Sequence, residues 1–244
     1  MTSLILLPCS ACLLKLVCCN GPCVAADKQH GLSLAKIVYT DVQSAAHQKD
    51  FLSQGSVVKK QYYAIGLFVA AMWLVFLVDW ILPITLQSLG LYPRSLSGIL
   101  GIPLMPFLHA NFDHLLGNTI PLIVLLFLLI SSREDSWWVV GCIIVVSGTL
   151  LWVFGRSALH VGASGLTFGL CSFLITVGVR ERRVIPVSIA ILVVLIYGGT
   201  MLSGVIPRWR SDISWDGHLC GLIAGGSAGF WFSRPKLSRL EKRS

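Results

Sequence analysis

Six stretches between Tyr63 and Phe232 are dominated by apolar side chains, at roughly 63–82, 114–132, 137–155, 162–179, 184–202 and 215–232. Each is close to the ~20 residues that a helix needs to cross a hydrocarbon layer. A segment in lipid must bond its own backbone, so this pattern predicts an all-α polytopic membrane protein with six transmembrane helices in one bundle. Composition agrees: the 244 residues are 55% hydrophobic and only 12% charged, with a mean hydropathy of +0.78. A soluble domain carries about 25% charge. An ordinary soluble globule is thereby excluded, and so are a disordered chain and a fibrous repeat.

The net charge of +8 does not point to nucleic acid, because the basic residues lie between the apolar blocks, where they set orientation in a bilayer. Lipid is the expected partner. Lys59, Lys60, Arg133, Arg180, Arg182, Arg183, Arg234, Lys236, Arg239, Lys242 and Arg243 fall on one side of the six spans, and Arg94, Arg156, Arg208 and Arg210 on the other. Both ends of the core are therefore expected in the cytoplasm, with the chain in the plasma membrane, the inner membrane of a bacterium. The expected division is an N-terminal segment over 1–60, a membrane domain over 61–233 and a basic tail over 234–244.

The first outer connection, about 83–113, is rich in Leu and Ile and broken by Pro83, Gly90, Pro93, Gly98, Gly101, Pro103 and Pro106. A connection of this length and character reads as partly embedded rather than as a solvated linker. Residues 4–24 are apolar but interrupted by Lys15 and lack a positive lead, which leaves a leader, a seventh helix and an early start all open. The polar stretch from Asp27 to Gln61 reads as a cytoplasmic lead-in. Five of the eight cysteines crowd into the first 23 residues, while Cys142, Cys171 and Cys220 read as small apolar side chains facing other helices.

Polar residues inside membrane helices are costly and mark function by default. Three clusters open alternate spans: His114-Leu-Leu-Gly-Asn118, Gly162-Ala-Ser164-Gly165 and Asp216-Gly-His218-Leu-Cys-Gly221. Even-numbered spans all start on the same side, so the clusters can converge. Ser164, flanked by glycines at a helix start, has the setting of a nucleophile with half an oxyanion hole in the free N–H groups beside it. His218 fits a general base. His114 and Asn118, four residues apart, share a helix face and can both donate to an oxyanion. The set reads as acyl transfer.

Each part has a plainer reading. Small residues around a serine also let helices touch, His218 also suits a helix cap, and Asn118 also suits an interhelical hydrogen bond; the conjunction carries the signal. His109, Asp113 and His114 could suggest a metal, but no His-Glu-x-x-His pair or second carboxylate cluster completes such a site. Neither a metal nor a cofactor is expected.

In this order and on these helices the three clusters resemble the rhomboid family of intramembrane serine proteases, over about residues 63–232. The resemblance implies a six-helix rhomboid-like bundle around a water-filled cavity, cutting peptide bonds in or near the transmembrane helices of substrate proteins. It implies Ser164 as nucleophile, His218 as base, and His114, Asn118 and the Ser164 backbone N–H as oxyanion donors, with Gly162, Gly165, Phe168 and Gly221 supporting them. Phe168 stands where relatives often have Tyr, and Tyr92-Pro93-Arg94 where many have Trp-Arg. Residues 203–214, with Trp209, take the place of a cap over the cavity. No Asp is placed as a third triad member, so packing on Phe168 would have to orient the imidazole. Glycines at 217, 221 and 225, and at 165 and 169, predict close contact between spans six and four. A catalytically inactive, client-binding relative is the alternative function; a transporter would show inverted repeats or several buried carboxylates, and the core has only Asp79 near a helix end.

Overall fold

The computed structural model describes residues 59–83, 85–207 and 214–234. The expectations for residues 1–58, for the cap around Trp209 and for the tail from 235 lie outside the described residues. In chain order the elements are α1 (Lys59–Ile81), a 3-10 turn (Leu86–Leu89), α2 (Leu96–Leu104) with a following 3-10 turn (Met105–Phe107), α3 (Phe112–Ser132), α4 (Ser136–Phe154), α5 (Ser164–Glu181), α6 (Val184–Gly204) and α7 (Trp215–Phe232). No strand occurs among the described residues, where an antiparallel bridge joins Leu91 to His160.

Four helices, α1, α3, α4 and α6, are long and apolar enough to cross a membrane. Six spans were expected. The other two long helices, α5 and α7, have 18 residues each, but Arg180 and Glu181 in one, Asp216 and His218 in the other, and many glycines in both dilute their apolar character. Large apolar side chains such as Leu67, Leu195 and Trp231 point outward and are more than 70% exposed. An outer surface of this kind suits an integral membrane protein, because it would be poorly tolerated in water.

Helices α3, α5 and α7 run in the same direction. At their C-terminal ends Arg133 donates to Glu181 (3.2 Å), to both oxygens of Asp135 (2.8 and 3.1 Å) and to the Phe232 carbonyl (2.7 Å). The Arg133 hydrogen bond holds the Asp135 carboxyl below the usual range. The Arg234 backbone N–H donates to Glu181 at 2.9 Å, so one buried ion cluster gathers all three helix ends. Helix α1 lies antiparallel to α3, with Tyr62 bonded to Ser131 and Trp73 to Thr119, each at 3.2 Å.

The α5–α7 contact is close because it is glycine against glycine. A methyl at Gly165 would lie 3.3 Å from the Gly217 carbonyl oxygen, one at Gly169 3.1 Å from that of Gly221, and one at Gly221 would overlap the Gly165 carbonyl. Ser172 Oγ also donates to the Leu222 carbonyl at 2.8 Å.

The connection between α1 and α3 is folded. Ser95 caps α2 by accepting from Gly98 N at 3.0 Å, and the Trp152 indole of α4 donates to the Ser95 carbonyl at 2.9 Å. Leu91 and Met105 are buried with Leu151 and Cys220. Arg94, at φ 57°, donates to the carbonyls of Gly155 (2.7 Å) and Val153 (3.2 Å). It therefore closes the end of α4, whose last carbonyls have no partner within the helix.

Candidate active site

A cavity of about 850 Å³ lies at the N-terminal ends of α3, α5 and α7, with the second half of α6 forming another wall. Ser164, His218, His114 and Asn118 all line it. The common direction of the three helices brings the polar clusters to one end.

Asn111 opens α3, its side-chain oxygen accepting from the His114 backbone N–H at 2.8 Å, as side-chain caps do for the free donors of a first turn. One turn on, Asn118 Nδ2 donates to the His114 carbonyl at 2.9 Å, which fixes the amide's orientation. Gly162 has φ +110°, a conformation open to glycine alone in practice. A methyl there would lie 2.6 Å from the His114 ring and 3.6 Å from Asn118 Nδ2, so the turn before Ser164 presses directly on both side chains. Helix α5 begins at Ser164 with Ala163 before it and no side-chain cap. The first N–H groups of α5 therefore lack a partner within the helix, and Ser164, which carries the first of them, lines the cavity.

Ser214 caps α7 by accepting from Gly217 N at 3.3 Å, and His218 follows on the first turn, 8% exposed. Its ring stacks on Phe168 of α5, with centroids 4.0 Å apart and planes 8° from parallel. The expected packing on Phe168 is joined by a hydrogen bond that sequence reasoning did not foresee: His218 Nδ1 lies 2.9 Å from the Gly204 carbonyl at the end of α6. A carbonyl only accepts, so Nδ1 is the donor, and in the neutral ring Nε2 is then the acceptor.

Around this centre lie further polar groups, bonded in ways that the sequence did not foretell. Asp216 Oδ2 accepts from the Arg156 backbone N–H at 3.0 Å, and its Oδ1 accepts from Ser214 Oγ at 3.1 Å. His160 Nδ1 is 2.7 Å from Ser214 Oγ, and its Nε2 is 3.7 Å from Asp216 Oδ2. Asp216 therefore binds the α4–α5 connection to the start of α7. Burial pushes the His160 pKa below its ordinary value, against the opposing pull of Asp216. His109, 2% exposed, packs edge-on against His114 at 5.2 Å, and among the described residues no hydrogen bond of normal geometry reaches either ring nitrogen. Burial, then the neighbouring His114, lower its pKa to about 4, with the Phe107 backbone pulling the other way. Among the described residues no three His, Cys, Asp or Glu side chains are grouped to hold a metal ion.

The Rhomboid domain family model matches residues 98–235, which include the three clusters and the folded outer connection from α2 onward. An uncharacterized protein of Mycobacterium tuberculosis is 36% identical over 178 residues, covering 69% of this chain and 74% of that protein. One from Mycobacterium leprae is equally similar, covering 69% and 70%. A protein of Acanthamoeba polyphaga mimivirus whose name places it among the rhomboids is 32% identical over 147 residues, covering 57% of this chain and 79% of its own. No solved structure matches.

Proposed function

The chain belongs to the rhomboid family, and on that premise we propose that it is an intramembrane serine endopeptidase that cuts other membrane proteins in or near their transmembrane helices. α1, α3, α4, α5, α6 and α7 are its six spans, with the cavity facing the outside of the cell and both ends of the core in the cytoplasm. The supporting observation is that Ser164, His218, His114 and Asn118, from three separate helices, line one cavity.

In this reading Ser164 Oγ attacks the scissile carbonyl carbon while its proton passes to His218 Nε2. The carbonyl oxygen becomes an oxyanion held by the Ser164 N–H, the Asn118 amide and the His114 ring. When the tetrahedral intermediate collapses, the C–N bond breaks and the departing amine takes the proton from His218, leaving an acyl-Ser164 ester. A water molecule then gives a proton to His218 and attacks the ester; collapse expels Ser164, which recovers its proton, and releases the new carboxyl end. Neither a metal nor a cofactor enters these steps.

The test is cleavage of a model transmembrane substrate by the purified protein in detergent. Wild type is expected to cut and Ser164→Ala to be silent with an unchanged melting temperature, and a fluorophosphonate probe to label wild type alone. Cleavage by Ser164→Ala at the wild-type rate refutes the assignment. Substrate binding without cleavage by wild type selects the inactive, client-binding alternative.

A further inference from the structure

We infer that the C-terminal end of α6 stands in for the missing third triad member: the Gly204 carbonyl is the positioning group for His218, holding its ring in the Nδ1–H tautomer. The inference rests on the reading of His218 as the general base.

Three observations carry it. The first is the 2.9 Å contact itself, from His218 Nδ1 to the Gly204 oxygen. Gly204 is the last residue of α6, so its carbonyl lacks a partner within the helix and is free to accept. It also belongs to the negative pole of the helix dipole. A ring that must accept a proton at Nε2 during the reaction therefore has at its far edge both an acceptor and a negative pole, the two things that a triad aspartate supplies.

The second is that a side chain at this position would crowd the pair it serves. A methyl at 204 would lie 2.5 and 2.9 Å from Phe168 ring carbons and 3.1 Å from His218 Nδ1. Phe168 covers one face of the imidazole and the Gly204 backbone meets its edge, so α5 and α6 together fix both the plane and the rotation of a side chain that belongs to α7.

The third is where α6 is held. Its buried residues are Ala190 and Val193, in its first half, where Gly178 of α5 meets Ala190 and the Pro186 carbonyl. Tyr197, Thr200, Met201 and Ser203, in the other half, line the cavity. The end that carries Gly204 is thus a cavity wall, with Tyr197 and Met201 also packed on the core, and the bond to His218 ties it to α7.

The experiment is nitrogen-15 NMR of histidine-labelled full-length protein in detergent at neutral pH, with the His218 signals assigned by their loss in His218→Gln. Wild type and Ser164→Ala are both expected to show a protonated Nδ1 and an unprotonated Nε2. Gly204→Ala is expected to show mixed tautomers and a kcat lower by about 10²–10⁴-fold, on the scale of a triad base left in the wrong tautomer, with KM changed less than threefold. A wild-type His218 protonated at Nε2, or averaged between tautomers, overturns the inference, whether or not Gly204→Ala folds. Failure of the endopeptidase reading is seen separately: Ser164→Ala would still cleave, whatever the tautomer.

Discussion

Replacing Gly221 by alanine adds one methyl group at a point where two backbones touch. The new Cβ would overlap the Gly165 carbonyl, with Gly165 Cα 3.2 Å away, and a backbone group has no rotamer by which to yield. Ordinary carbon contacts lie near 3.5 Å, so α5 and α7 must part by on the order of 1 Å. Overpacking of this kind typically costs about 1–3 kcal/mol, which for a chain of this size corresponds to a fall in Tm of about 2–12 °C. The effect on rate is expected to be larger than the effect on stability. Gly165 follows Ser164 directly and Gly221 lies one turn beyond His218, so the separation acts on both members of the proposed dyad, and a misplacement of about 1 Å can cost on the order of 100-fold. The geometry predicts harm from alanine already, and more from valine. Gly141→Ala is the control, because a methyl there meets nothing within 4 Å. The assay is cleavage of a model transmembrane substrate, with melting in the same detergent. If Gly221→Ala cuts within twofold of wild type and melts at the same temperature, the coupling of this contact to the site is refuted.

Asn118→Ala removes one of the proposed oxyanion donors and is expected to lower kcat by about 10²–10³ with folding intact; an unchanged kcat would remove Asn118 from the site. His109 has a folded pKa of about 4 against 6.5 in the unfolded chain, so between those values the unfolded state binds the extra proton and stability falls as pH falls. Its share of the loss by pH 4 is about 3 kcal/mol, so melting temperature should drop between pH 6.5 and 4 and His109→Gln should flatten that dependence; equal slopes would disprove it. A reporter fused after Ser244 should be cytoplasmic and one inserted near Ser97 external, and the reverse would place the cavity on the other face of the membrane.

The helices were readable because apolar runs of this length leave the backbone few choices. The expected spans 114–132, 137–155 and 215–232 differ by at most two residues from α3, α4 and α7. The meeting of the three clusters followed from helix parity. The interior of the outer connection did not, since α2 carries Pro103 within it and is too short for its period to stand out among Gly and Pro. Asp216 stood out in the sequence as part of the polar cluster that opens the sixth span, but not for what it binds; its bonds to Arg156 and Ser214, and its approach to His160, are made across about 60 residues of chain or to a cap two residues away. Gly204 had no signature at all, because the group it offers His218 is a carbonyl that every residue possesses. The signal that could have found it is indirect: a glycine at the end of an apolar run, where a bulky residue would have been free.

The low apolarity of α5 and α7 also has a consequence for biogenesis. In the six-span arrangement proposed above, the two helices bearing Ser164 and His218 are those with the weakest affinity for hydrocarbon, so their stable residence in the bilayer depends on each other and on neighbours already there. Helix α5 leaves the ribosome well before its glycine partner, and until α7 arrives the Gly217 and Gly221 backbone that packs on Gly165 and Gly169 is absent. Assembly of the bundle and completion of the serine–histidine pair are then one late event, so a chain shortened before Trp215 would leave α5 insecurely inserted as well as lacking the histidine.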